Sequence, residues 1–202
     1  MTARPTSLLI AALAAGQLLA GPIAAQTPVE GPQNWVADST KSTLVFTATQ
    51  EGAEFSGRFK EFSAGIRLQP SGPGFTIMDI GSTIRLASVD TLNSERDDYL
   101  KQEDWFDITQ WPEATFSSDA IQQLGNGRFK ATGELLLRGV SRPVQLELDM
   151  AIDDNAETGR LQGKASINRL DFGVGQGDWA STEWIGATVN IEFNLYILRA
   201  FE

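Results

Sequence analysis

Residues suited to chemistry gather in two stretches of this chain. The first is Thr91-Leu-Asn-Ser-Glu-Arg-Asp-Asp-Tyr-Leu100, a charged insert followed by Trp105-Phe106-Asp107 and Trp111-Pro112. Asn93 or Ser94 can cap a short helix there, and Ser94 to Asp97 has capping-box spacing. Arg96 and Asp97 fall on its first turn. They either pair and fix the insert, or leave Arg96 to face a polar head group. Leu92, Tyr99 and Leu100 are available to pack beneath. The second stretch is Arg169-Leu-Asp171 before Gly173-Val-Gly-Gln-Gly177. A buried Arg–carboxylate pair would order the loop, whereas an unpaired Arg169 would recognise a ligand oxygen. No helix opens after the glycines, and Trp179 and Trp184 follow, so a flexible rim loop is expected rather than a phosphate loop. Glu103, Asp104 and Asp107 contain the raw material of a two-carboxylate hydrolase. With 26 acidic residues in the chain, such proximity is expected by chance.

Two residue types are missing altogether: His and Cys. Their absence removes Ser-His-Asp and Cys-His catalysis, imidazole proton shuttling and imidazole ligation of zinc, copper or haem. No Asp-x-Asp-x-Asp-Gly calcium loop is present either. Neither a catalytic residue nor a metal ligand is assigned. The chain carries 16 basic and 26 acidic residues, a net charge of −10, which argues against nucleic acid and anionic lipid surfaces as partners.

The chain begins with Arg4, an apolar run from Leu8 to Leu19, a break at Gly21-Pro22, and Ile23-Ala24-Ala25. This reads as a secretory signal over residues 1–25, cleaved after Ala25. A short leader, 26–34, then precedes one domain over 35–202. Gly16, Gln17, Gly21 and Pro22 interrupt the run and weigh against an uncleaved anchor. An exported chain without disulfides must be held by its core alone.

Period-two alternation dominates the remainder. Leu44, Phe46 and Ala48 share a face, as do Phe55, Gly57 and Phe59, then Ala64, Ile66 and Leu68. Phe75 to Leu86 is extended, with a bend expected near Gly81. Asn126-Gly127 signals a hairpin. Further stripes are Phe129 to Leu137, Val144 to Met150, Leu161 to Ile167, and Val189 to Ile197. Eight or nine strands joined mostly by short turns must be antiparallel. Several exceed ten residues, which favours a closed barrel over a sandwich. A barrel of about eight strands is either filled by side chains or holds one small ligand. Gly57, Gly133, Gly163 and Ala165 recur on the inward stripes. They either bend strands at corners or leave part of the interior unfilled.

The landmarks now resemble a known family. Trp35 with Asp38-Ser39, Ser42-Thr-Leu-Val-Phe46, Gly57-Arg-Phe-Lys-Glu-Phe62, Asn93-Ser-Glu-Arg-Asp97, Trp105-Phe-Asp107, Trp111-Pro-Glu-Ala-Thr-Phe-Ser117, Gly133 to Val144 and Ile167-Asn-Arg-Leu-Asp-Phe-Gly173 occur in the order and spacing of the YceI-like family. These are lipocalin-like, polyisoprenoid-binding proteins exported by bacteria. The resemblance implies an all-β fold, an eight-stranded antiparallel barrel with a short helical insert at one end. It implies an apolar lumen for an isoprenoid quinone or other long-chain polyprenyl lipid, a periplasmic location and no covalent cofactor. Tyr99 stands where many members carry His. The segment from Phe172 to Gly186 resembles a branch associated with membrane b-type cytochromes, which adds such a cytochrome to the expected partners; a homodimer is a separate expectation. The candidate ligand-binding positions are Phe46, Phe59, Ile77, Arg96, Phe106, Phe116, Phe129, Leu135, Leu146, Ile167, Arg169, Phe172, Trp179, Trp184 and Phe193. A redox accessory and a carboxylate-based lipid-modifying enzyme are the alternatives to a carrier.

Overall fold

The computed structural model describes residues 31–72 and 74–200. The expected signal segment lies outside them. Eleven strand segments and one α-helix follow in order, with short 3-10 turns at Leu86–Ser88, Arg169–Phe172 and Gly177–Ala180: β1 (Gln33–Ala37), β2 (Thr43–Gln50), β3 (Ala53–Phe59), β4 (Phe62–Ser71), β5 (Gly74–Arg85), β6 (Val89–Asp90), α1 (Ser94–Lys101), β7 (Glu113–Gly125), β8 (Arg128–Leu137), β9 (Val140–Ile152), β10 (Thr158–Asn168) and β11 (Thr188–Arg199). Every pairing is antiparallel. Three long strands are broken in two: β1 and β2 bond successive stretches of β11, β3 continues into β4, and β5 into β6. Counted this way the sheet is a closed barrel of eight strands, shut by β1 against β11.

Local chemistry explains the short connections. Asn126-Gly127 joins β7 to β8 with both residues at positive φ (53° and 74°), the hairpin geometry that Asn-Gly favours. Arg138-Gly139 turns β8 into β9 in the same way. The bend expected at Gly81 is absent. Gly81 pairs regularly with Gly65 and Ser117, and the irregularity falls at Met78, the extra residue between Ile77 and Asp79. Met78 is exposed, so the bulge keeps Ile77 and Ile80 both facing inward.

The interior is unevenly filled. At the end formed by β1 and the start of β8, Trp35, Leu68, Ala131, Leu161 and Ile197 are fully buried, and Ile66, Ile77, Phe129 and Leu148 nearly so. The Trp35 ring meets Phe75 edge-on at 5.8 Å. This is the floor. At the other end lie α1 and the long connections, and there the packing is open.

Outside, one carboxylate ties the broken strands together. Asp90 on β6 takes Arg58 of β3 at 2.9 Å and Lys60, just past the end of β3, at 3.0 Å, and also accepts the Leu92 N–H. The Lys60 and Arg58 bonds hold its pKa down, from 3.8 to about 2. A depressed carboxylate contributes stability that is present above its unfolded pKa and lost as pH falls through the folded one. Between about pH 4 and pH 2, urea midpoints of the wild type should therefore fall more steeply than those of Asp90→Asn. Parallel slopes would mean that the Asp90 cluster contributes nothing.

Candidate functional site

Above the floor the lumen holds two apolar chambers. The deeper one, about 110 Å³, is lined by side chains including Phe62, Ala64, Ile80, Phe116, Val144, Leu146, Ala165, Phe193 and Leu195, with Ser82 its one hydroxyl. The upper one, about 140 Å³, is lined by residues including Phe46, Phe55, Phe59, Leu100, Trp105, Phe106, Leu137, Ile167 and Ile185. Leu44, Ile84, Leu135 and Ile191 line both. They come from β2, β5, β8 and β11 and form a waist between the chambers.

A third hollow, about 250 Å³, lies outside the upper chamber. Phe55, Leu100, Trp105 and Ile185 face both, and its outer rim carries Gln50, Asn93, Glu95, Arg96, Tyr99 and Trp179. This is the mouth. Its polar rim is built by α1. Asn93 caps the helix by accepting the Arg96 N–H at 3.0 Å. Asp97 does not pair with Arg96. It accepts the backbone N–H and the hydroxyl of buried Thr91, at 2.8 and 2.6 Å, and so anchors the helix to the strand below. Only Leu100 of the expected apolar trio is buried. Tyr99 is partly exposed, and Leu92, at φ 58° with its N–H donated to Asp90, is 89 % exposed. Arg96 stacks its guanidinium over the Phe55 ring at 4.0 Å and meets no carboxylate among the described residues. Beside it, Trp179 contacts Tyr99 at 5.9 Å and Trp105 at 5.6 Å.

Arg169 closes the same end and is spent on the protein. It is 3 % exposed. Its nitrogens donate to the carbonyls of Gly186, Val174, Gly175, Trp179 and Ile185 at 2.7–3.1 Å, with a longer bond to Ser181. It forms no ion pair with Asp171 and has no donor left for a ligand. Burial lowers its pKa from the usual arginine value. The ring of carbonyls replaces the lost hydration. The Gly-rich loop is therefore folded around a cation, and the glycines let it close: a Cβ on Gly175 would lie 2.2 Å from Arg169 Nη1.

The structure brings Phe46, Phe59, Phe106, Phe116, Leu135, Leu146, Ile167, Phe193 and Arg169 to the chambers, Arg169 with its donors spent on carbonyls, and Arg96 and Trp179 to the mouth. Ile77 and Phe129 belong to the packed floor, and Phe172 is buried core off both chambers. Trp184 is 58 % exposed and lines neither chamber. Its carbonyl, not its ring, is held, by the Glu51 N–H at 2.7 Å. Among the lining residues that the candidate set lacked are Phe55 and three of the four waist residues, Leu44, Ile84 and Ile191. Leu44 and Ile191 share period-two stripes with Phe46 and Phe193, which is the signal that could have found them.

The YceI-like domain model matches residues 35–197. A UPF0312 protein of Shewanella sp. strain ANA-3 is 30 % identical over 196 residues, covering 94 % of this chain and 95 % of that protein. Protein YceI of Shigella flexneri is 36 % identical over 122 residues, 58 % of this chain and 62 % of that one. The crystal structure of Burkholderia cenocepacia BcnA superposes with a TM-score of 0.72 at 30 % identity, covering 79 % of this chain and 98 % of that one. A polyisoprenoid binding domain from Saccharophagus degradans has a TM-score of 0.64 at 20 % identity, covering 82 % and 98 %, a likeness of fold alone.

Replacing Arg169 with Met should cost about 3 kcal/mol, because several buried carbonyls lose their donor together. Hydrogen exchange should quicken across residues 173–186 while strand amides stay protected. Unchanged exchange in that loop would contradict the anchoring role.

Proposed function

Because the chain belongs to the YceI-like domain family, we propose that it is an exported binding protein that holds the tail of an isoprenoid quinone or another polyprenyl amphiphile in its barrel. One observation carries this reading: two adjacent apolar chambers, sharing a waist of four side chains, sit behind a polar mouth, and a floor closes them below. The Saccharophagus structure, described as a polyisoprenoid binding domain, agrees in ligand class. The apolar run from Leu8 to Leu19 and the small residues before Gln26 support export to the periplasm.

The lining favours holding a tail over reacting with it. Among the described residues no carboxylate faces either chamber, and Glu103 and Asp104 are exposed outside them. A tail gains about 2.5 kcal/mol for each roughly 100 Å² buried, before ordering costs. Several isoprene units then suffice for tight binding without a polar contact. Arg96, stacked on Phe55 and without a carboxylate partner among the described residues, is the group placed to meet an oxygen-bearing head at the mouth. Trp184 offers an exposed indole on the loop leading to Ile185 at that mouth. It favours a second reading in which the loaded protein docks on a membrane cytochrome that uses the quinone. Co-purification of such a partner with wild type but not with Trp184→Ala supports that docking, and equal recovery removes it.

The primary test is organic extraction of protein purified from its native compartment, followed by mass spectrometry. A stoichiometric prenyl-chain amphiphile is expected, and an empty extract contradicts the reading. Arg96→Ala should weaken binding of a prenyl phosphate about tenfold, the low end for a charge-assisted bond, while a neutral prenyl alcohol binds as before.

A further inference from the structure

Three glycines on the inner wall are each covered by a phenylalanine ring. A Cβ placed on Gly57 would lie 2.4 Å from Phe46 Cζ, one on Gly163 would lie 2.3 Å from Phe193 Cζ, and one on Gly133 would lie 2.7 Å from Phe116 Cζ. Phe46 and Gly57 are direct cross-strand partners, and so are Phe193 and Gly163. Each ring tip therefore occupies the volume that a neighbouring side chain would fill. The ring lies along the wall, and the axis beside it stays open. Phe46 borders the upper chamber, and Phe116 and Phe193 border the deep one. The glycines do not make the void by being small. They make it by giving three large rings somewhere else to go.

We propose that the Gly163–Phe193 pair sets the longest tail the lumen accepts, a specificity element of the tail-holding function argued above and resting on it. Any side chain at 163 drives Phe193 off the wall. A ring displaced from it has the deep chamber as its open side. A tail would then stop at the waist. The Gly163 site suits a test because its close neighbours are side-chain atoms, Phe193 Cζ and Cε2 and Leu148 Cδ2. Gly133 does not, because a Cβ there would also lie 2.2 Å from the Ser117 carbonyl oxygen.

The experiment is isothermal titration of the mature protein with geranyl, farnesyl and geranylgeranyl phosphates. Wild type is expected to gain affinity with each added isoprene unit. Gly163→Ala should bind the geranyl compound as wild type does and lose about tenfold or more for the geranylgeranyl compound, roughly the contact of one isoprene unit. Adding Phe193→Leu to Gly163→Ala should restore the long chain, which a general loss of stability would not allow. If Gly163→Ala fails to fold, Phe193→Ala reads the same element from the other side and should raise the preference for the longest chain. An unchanged length profile in a folded Gly163→Ala, or in Phe193→Ala, overturns the proposal while leaving tail binding intact. Failure of the wild type to bind any of the three compounds overturns the tail-holding function itself.

Discussion

Trp35 lies on β1, the segment that shuts the barrel against β11, and closes its floor. β1 is five residues long, yet Trp35 pairs with Ile66 of β4 on one edge and Arg199 of β11 on the other. Eight strands fix the diameter, so one indole and its neighbours fill the cross-section at that level. Ile197, Leu68 and Leu161 complete the floor around it, all fully buried. With one end solid, the two chambers lie above it, toward α1 and the long connections. There the wall carries the Gly–Phe pairs, and chambers remain. The same closure gives the lumen a direction, with an oily blind end and a polar mouth.

The mouth shows how charge is managed next to an apolar space. Arg169 is buried but serves only backbone carbonyls, so the loop from Gly173 to Ile185 is held without a carboxylate at the chamber. Asp97 likewise spends itself on Thr91. Arg96 is left as the cation at the rim without an acidic partner among the described residues, resting on an aromatic face. A site arranged in this way imposes little demand on the tail beyond width and length, and presents one positive group to whatever remains in water.

Much of the architecture was legible in the sequence. Alternation along Val144 to Met150 and along Val189 to Ile197, the Asn126-Gly127 hairpin and the capped insert gave strands, turns and lid, and the family landmarks joined them into a barrel. The division of the lumen was not legible. Phe129 and Phe116 are the same residue type on inward stripes, but one packs into the floor and the other lines a chamber. Their levels are set by the long-range pairing of β1 with β11, which no local pattern encodes. Arg169 hid its role because its partners are carbonyls from six other residues, and backbone groups leave no trace in a sequence. Leu92, an apolar residue expected to pack beneath the insert, and Trp184, a candidate lining residue, are both exposed.

The account depends on a tail that enters past Phe55 and stops above Trp35. Anomalous diffraction from crystals soaked with an alkyl phosphate brominated at its terminal carbon locates that end directly. The bromine is predicted in the deep chamber, between Phe116 and Phe193. Bromine only on the outer surface, or an ordered phosphate at the mouth with no bromine inside the barrel, would contradict it.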